Sequence, residues 1–261
     1  MSRIFSVILA AAFLSSAEAQ PLERVLVPVL AVNLPGLFGS VWHTELTGIN
    51  EGDFFVPVKS SPDEFCGIPE GCPEQPAQPH QFFAFGSAPF GETPQGAFIF
   101  VSSEHAGDVH FHLQAFDKTR RATSFGAAIP VPREEDFTDR AFSLLGVLID
   151  PGFRTTLRVY GLENIPSTAA IRVTRLDRPL QDVNFVTSLG SQFSRLQFTV
   201  PSFAVIPDLS SVLPASFLLP GAADAPRVAI QITSLTPGQR LWAFATVTNN
   251  STQQISVFGP Q

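Results

Sequence analysis

Basic residues are scarce in this sequence. It has 16 Lys and Arg against 23 Asp and Glu, which gives a formal net charge of −7. Nucleic-acid binding depends on Lys and Arg that neutralise phosphates, so this composition excludes nucleic acid as an expected partner. Charged residues of both signs make up only 15% of the chain, too few for a disordered protein, and the 44% of hydrophobic residues can fill more than one core.

Long apolar runs are also missing. The longest candidate, residues 4–14, is shorter than the roughly 20 residues that span a bilayer. Arg3 precedes this run and an Ala-Glu-Ala motif at 17–19 follows it, which is the order of a cleavable secretory signal. We therefore expect residues 1–19 to be a signal peptide and the mature chain to be periplasmic or extracellular, without a membrane span. An uncleaved anchor is the alternative.

Cysteine occurs only at Cys66 and Cys72. Two cysteines this close in an exported chain predict a disulfide. The bond would close a short loop and so pin it locally, with little effect on global stability. A two-cysteine metal site is the alternative, but it lacks a second ligand pair at a recognised spacing.

Tyrosine and tryptophan are rare, with one Tyr and two Trp against 25 Phe. Phe has no polar atom that needs a partner, so most of these rings are expected to fill a core. The 23 Pro and 18 Gly break the chain into short segments and exclude long helices.

One pattern occurs twice, in VWHTELTGIN (41–50) and in GFRTTLRVYGLEN (152–164). Both place an aromatic residue, a Thr and a Leu at alternate positions and run on to an Asn. The residues are Trp42, Thr44 and Leu46 in the first copy and Phe153, Thr155 and Leu157 in the second. Alternation with a polar opposite face is typical of a half-buried strand, so each copy is predicted to be one strand of a repeated domain.

The segments around the two copies match as well, and turn signals divide each half into about seven strands. We therefore predict an all-β protein made of two tandem immunoglobulin-like antiparallel β-sandwich domains, at 22–129 and 140–261, each with its own core. The Pro-bearing, charged segment 130–139 is the expected linker. Residues 207–214 predict one helical turn, capped by Asp208 and ended by Pro214. A single large barrel is the alternative.

A long Pro-rich segment without periodicity, residues 59–81, distinguishes the first half. Loops of this length are usually functional or disordered, so this one is the first candidate binding loop. Its candidate residues are Asp63, Glu64, Glu70, Glu74 and His80.

His110 and His112 are the candidate metal ligands. On a strand they project from the same face, and two imidazoles so placed can hold one ion if a third ligand lies nearby. A solvated polar face that happens to carry histidine is the alternative.

Arg154, Arg158 and Arg172 form a candidate basic face of the second domain, provided that the strands carrying them pair. Such a face could guide docking between domains or molecules, or attract an acidic glycan. Solubilising charges at strand edges are the alternative.

The residues give little support for catalysis. No Ser lies in a G-x-S-x-G elbow, and the five His have no evident Ser or Asp partner by spacing. The chain is therefore expected not to be an enzyme, and no cofactor is expected.

The order of FGSVWHTEL, FGAAIPVP, LLGVLIDPGFRTTLRVYGLEN and the ending ATVTNNSTQQISVFGPQ resembles a group of uncharacterised secreted bacterial proteins with paired immunoglobulin-like repeats. In the repeated strand, His43 stands where that group usually has Arg. The resemblance implies export and β-sandwich modules, and it implies no activity, cofactor or catalytic residue.

Three functions remain open after this reading. The first is an exported, non-catalytic binding or adhesion module for an extracellular protein or glycan. The second is a structural or assembly protein that self-associates through a strand edge, with the C-terminal QQISVFG as the candidate edge. The third is a metal-binding protein that uses His110 and His112.

Overall fold

The structure is a computed structural model that describes residues 21–61, 74–85, 95–122, 124–191, 200–219 and 226–261. The predicted signal peptide and both cysteines lie outside these ranges. Inside them the chain is mostly β-strand, with only short helical turns. The predicted all-β class is confirmed.

Nine described strands come from the first half of the chain, before the predicted linker. They are β1 (Leu22–Val27), β2 (Leu34–Pro35), β3 (Val41–Asn50), β4 (Val56–Lys59), β5 (Glu74–Ala77), β6 (Gln81–Phe85), β7 (Ala97–Ser102), β8 (Val109–Asp117) and β9 (Ala127–Ile129).

Eight described strands and one short helix come from the second half. They are β10 (Phe142–Leu148), β11 (Phe153–Gly161), β12 (Ser167–Arg175), β13 (Asp182–Leu189), β14 (Ser202–Ile206), α1 (Ala215–Leu218), β15 (Arg227–Ser234), β16 (Leu241–Asn249) and β17 (Ile255–Phe258). Short 3₁₀ turns occur in both halves and in the segment between them, at Leu37–Gly39, Ala106–Asp108, Lys118–Arg120, Glu134–Asp136 and Leu209–Val212.

The described strands form four antiparallel sheets, two from each half. One sheet of the first half has the strand order β1-β7-β4-β5. The other has the order β3-β8-β9, and both β2 and β6 pair with the free edge of β3. The second half contributes β10-β15-β12-β13 and β14-β11-β16-β17. Buried apolar residues from both sheets of a half pack into one cluster. The alternative of a single large barrel is wrong.

Side-chain alternation places the two repeated strands as the sequence predicts. Leu157 and Thr155 of β11 are buried, while Arg158 lies on the opposite face. Leu46 and Thr44 of β3 are buried in the same way. Each strand therefore turns its repeated Thr and Leu toward the core of its own half.

The repeat is also a repeat of topology. The first sheet of each half has an equivalent strand order, which is β1-β7-β4-β5 in the first half and β10-β15-β12-β13 in the second. The other sheet also has an equivalent order, which is β6-β3-β8-β9 in the first half and β14-β11-β16-β17 in the second. The register matches too, because Trp42 and Phe153 each lie opposite the last residue of the neighbouring strand, Asp117 and Asn249. The two copies therefore occupy equivalent positions.

The shared asparagine is an exception to this equivalence. Asn50 is the last residue of β3, and its side-chain amide donates to the carbonyls of Phe54 (2.7 Å) and Ala77 (2.9 Å). In β11 the corresponding position is Gly161, and Asn164 lies beyond the end of that strand. This part of the sequence likeness is not structural.

The pairing order of the described strands differs from the immunoglobulin order. In the immunoglobulin constant domain, the first, second, fifth and fourth strands form one sheet. Here, with the two-residue β2 left aside, the first strand of each half pairs with the sixth and the second pairs with the seventh. The sandwiches therefore follow a different topology from the one that the strand count suggested.

The predicted helical turn is present. Asp208 accepts a hydrogen bond from the backbone of Ser210 (3.0 Å), and the 3₁₀ turn Leu209–Val212 ends before Pro214. Pro214 then precedes α1, which the sequence did not predict.

The predicted linker is bonded to both halves. The backbone N–H of Leu26 donates to Pro132 (2.8 Å), and Thr138 and Leu241 exchange two backbone hydrogen bonds of 3.0 and 2.7 Å. Phe137 is buried in the core of the first half. This segment therefore fixes the halves to each other.

The two halves share part of one core. Tyr160, Trp242 and Phe244 point away from the core of the second half and pack into the core cluster of the first. The Tyr160 hydroxyl donates to the backbone carbonyl of Pro28 (2.6 Å). The expectation of two self-contained cores is therefore wrong, because one sheet of the second half is buried on both faces.

Candidate functional site

The structure describes only the two ends of the predicted acidic loop, residues 59–61 and 74–81. Asp63, Glu64, Glu70 and the Cys66–Cys72 pair lie outside the described residues, which leaves Glu74 and His80. Glu74 is exposed at the start of β5. Nε2 of His80 lies 2.9 Å from Oδ1 of Asp53, and both side chains are largely exposed. The contact between His80 and Asp53 is therefore a surface contact.

His110 and His112 are exposed on one face of β8, as alternation predicts. Nε2 of His110 lies 3.6 Å from a carboxylate oxygen of Glu51. Within the described ranges, no group of three or more His, Cys, Asp or Glu is arranged to hold a metal ion. The third ligand that the metal hypothesis needs is thus not found in that part of the chain.

The predicted basic face is not formed, because the strands that carry it do not pair. β11 pairs with β14 and β16, whereas β12 pairs with β13 and β15 in the other sheet. Arg154 and Arg158 therefore share a face of β11, and Arg172 lies on a different sheet in an ion pair with Asp182 (2.7 Å). Arg175, also on β12, is fully buried.

The predicted C-terminal edge is partly covered. β17 pairs with β16 and lies beside β9 of the first half. Beyond it, Pro260 forms an isolated bridge with Leu144, and the backbone N–H of Gln261 donates to Ser143 (3.0 Å). A second chain would have to displace these contacts to pair with this edge.

A cleft of about 440 Å³ lies between the two halves. Its first wall comes from the first half and is mainly apolar: Val29, Ala31, Leu34, Trp42, Ala127 and Ile129. Its second wall comes from the outward faces of β11 and β16: Arg154, Thr156, Arg158, Phe244, Thr246 and Thr248. A concave, mostly apolar space of this size with a few polar groups is typical of a small-molecule site.

A glycine at the first wall lets the Trp42 ring pack. A Cβ added to Gly36 would lie 2.5 Å from Nε1 of Trp42 and 2.2 Å from Oγ of Ser40. Any larger residue at position 36 would push the indole away from its place in the cleft wall.

The ionisable side chains that line the cleft are all of basic residue types. Arg154, Arg158 and His43 line it, and no Asp or Glu is among its described lining residues. Nδ1 of His43 is buried and has no hydrogen-bond partner among the described residues. Burial raises the pKa of Tyr160, and the neighbouring Arg158 acts in the opposite direction.

An ion-pair cluster of Arg24, Glu134, Glu163 and Arg240 joins the halves through the linker. Arg24 donates to both carboxylate oxygens of Glu134 at 3.0 Å and to Glu163 at 3.0 Å, and Arg240 donates to Glu134 at 2.8 Å. The hydrogen bonds from Arg24 are the main cause that holds the pKa of Glu134 below its usual range. The hydrogen bond to Glu134 is also the largest cause of the raised pKa of Arg24.

Sequence reasoning missed this cleft, although one signal for it was present. In the segment LWAFATVT of β16, Leu241, Ala243 and Ala245 face the core, and the positions between them include Trp242 and Phe244. Apolar residues at consecutive positions indicate a strand buried on both faces. That pattern could have shown that β16 is covered, but not by which segment.

No family model, curated protein or solved structure matches the chain. Within the described ranges, no helix has the length and hydrophobicity needed to cross a membrane.

Proposed function

We propose that the chain is an exported, non-catalytic binding module that holds a small apolar molecule in the cleft between its halves. The observation that carries this proposal is the cleft of about 440 Å³, with mainly aliphatic side chains on its first wall and an aromatic ring on each wall. Export rests on the signal-like order of residues 1–19.

The walls of the cleft are held in place without a ligand. The ion-pair cluster and the hydrogen bond from Tyr160 to Pro28 both connect the halves. A site that needs little ordering on binding loses less free energy to conformational entropy. This rigidity supports binding of a small molecule in a preformed site.

The side chains of the cleft favour binding over acid–base chemistry. Its described lining contains one His and four Thr, and no Asp, Glu, Ser or Cys. General acid–base and nucleophilic catalysis need a positioned pair of such groups. The polar groups of this lining are better suited to orienting a ligand.

The test is a fluorescence titration of the mature protein with 1-aminoanthracene, a neutral apolar probe. We expect saturable binding of one probe per chain. Thr246→Phe places a ring in the cleft from β16 and is expected to lower the affinity at least about tenfold. Absence of saturable binding in the wild type contradicts the proposal.

Thr233→Phe is the matched control. Thr233 lies on β15, in the other sheet of the second half, and does not line the cleft. The same substitution there should leave probe affinity unchanged, so an equal loss in both variants would place the probe outside the cleft.

A further inference from the structure

We infer that the ligand of this cleft carries an anionic head group on its apolar body, and that Arg154 binds this head group. This inference rests on the proposed function, and it adds the chemical class of the ligand.

The first support is unbalanced charge. Arg154 and Arg158 line the cleft, and its described lining contains no carboxylate. Arg154 is half-buried and forms no hydrogen bond or ion pair with another described residue. A guanidinium that is partly removed from water without a counter-charge is costly, and an anionic ligand would offset that cost.

The second support is the arrangement of polar and apolar groups along the second wall. In the ladder of β11 and β16, Arg154 lies opposite Thr248, Thr156 opposite Thr246, and Arg158 opposite Phe244. The Arg154 end of this wall carries only polar side chains, and the other end carries the Phe244 ring beside Arg158. A ligand with one polar end and one apolar end matches this gradient.

A guanidinium suits this role because its planar fork binds carboxylate and phosphate oxygens through two parallel hydrogen bonds. The Arg154 side chain can therefore hold the head group at the polar end of the second wall.

The experiment compares probes that share a twelve-carbon chain and differ in the head group. Dodecanoate, dodecanol and dodecylamine are each titrated against 1-aminoanthracene bound to the mature wild-type protein. We expect dodecanoate to displace the probe at a concentration at least about tenfold lower than dodecanol, with dodecylamine weakest. Dodecyl phosphate serves as a fourth arm that separates a preference for carboxylate from a preference for any anion.

Variants test the assigned residue. Arg154→Gln is expected to weaken dodecanoate about tenfold and to leave dodecanol unchanged, and Arg154→Lys should recover part of the loss because it keeps the charge. Arg172→Gln removes an arginine from the other sheet and should leave the affinities for dodecanoate and dodecanol unchanged.

The outcomes separate the two proposals. If 1-aminoanthracene binds but dodecanoate and dodecanol compete equally, the anionic ligand class is wrong and the cleft remains a binding site. If Arg154→Gln weakens dodecanol and dodecanoate alike, Arg154 shapes the cleft and does not select charge. If no probe binds the wild type, both proposals fail.

Discussion

Glu134 is the central residue of the contact between the halves. Its carboxylate accepts hydrogen bonds from Arg24 of β1 and from Arg240, which immediately precedes β16. The side chain keeps about a third of its surface in water, so these contacts are worth less than a fully buried pair.

Glu134→Gln is expected to lower the free energy of unfolding by about 1 to 2 kcal/mol at neutral pH. The amide keeps the size of the side chain but removes the counter-charge of Arg240 and one of the two counter-charges of Arg24. Urea unfolding followed by Trp fluorescence measures the change. Glu135→Gln is the control, because Glu135 is the exposed neighbour and forms no hydrogen bond or ion pair with a described residue.

The effect of Glu134→Gln should depend on pH in a known direction. The pKa of Glu134 is lower in the folded protein than in the unfolded chain, chiefly because of the hydrogen bonds from Arg24. Its contribution to stability is therefore fully present above the unfolded pKa of about 4.3 and is lost as the pH falls through the folded value. The difference between wild type and variant should shrink below about pH 4, and a constant difference would contradict this assignment.

Sequence alone identified Glu134 as part of a charged linker and could not identify its partners. Arg24 lies 110 residues away in the chain. No periodicity connects the two positions, since their contact depends on how one sandwich packs on the other.

Gly48 shows how a single strand position controls sheet packing. It lies opposite Phe83 of β6 and Phe111 of β8, and the rings of these two residues are 6.1 Å apart. A Cβ added at Gly48 would lie 2.3 Å from the Phe83 ring. The glycine therefore leaves the space that the ring fills.

Gly48→Val is expected to destabilise the protein by about 1 to 3 kcal/mol, even though valine favours strands, because the Phe83 ring must move from a packed site. Thermal unfolding measures the loss, and aromatic ring-current shifts in NMR spectra report the ring. Thr47→Val changes the adjacent, outward-facing position and should stay within about 0.5 kcal/mol of wild type. Equal stability of the two variants would show that the ring does not need this space.

The orientation of individual strands was predictable where one face is buried and the other is exposed to solvent. The alternation in β3 and β11 assigned Leu46 and Leu157 to the core, and both are buried. The same rule failed for the outer face of β11, because Tyr160 on that face is buried by the first half. A period-two pattern shows which residues share a face, but it does not show what covers that face.

The shared core makes the second half depend on the first. Tyr160, Trp242 and Phe244 would be exposed in an isolated second half, and each buried aromatic ring contributes about 1.5 to 3 kcal/mol. We expect a fragment of residues 140–261 to unfold at a lower temperature than the intact chain and to bind a hydrophobic dye. Differential scanning calorimetry of the intact chain should show one transition.

The double substitution Trp242→Thr and Phe244→Thr provides the control. Its effect should differ between the isolated fragment and the intact chain. In the fragment it removes exposed apolar surface and should reduce dye binding, whereas in the intact chain it removes buried contacts and should lower stability. A fragment that melts at the temperature of the intact chain would show that the two cores are independent.

Every described sheet draws its strands from one side of residues 130–139. The packing of the two halves could not be predicted from the sequence, because it depends on the outer faces of β11 and β16, which local patterns describe as ordinary strand surfaces. The cleft follows from this packing, and so it could not be predicted either.

The hydrogen bond from Tyr160 to Pro28 joins residues 132 positions apart. Because of this contact, one repeat cannot be replaced independently of the other. A recombination event that exchanges one repeat for a homologous repeat would introduce a surface that does not fit the remaining repeat. Substitutions on the two sides of this contact therefore have to be inherited together.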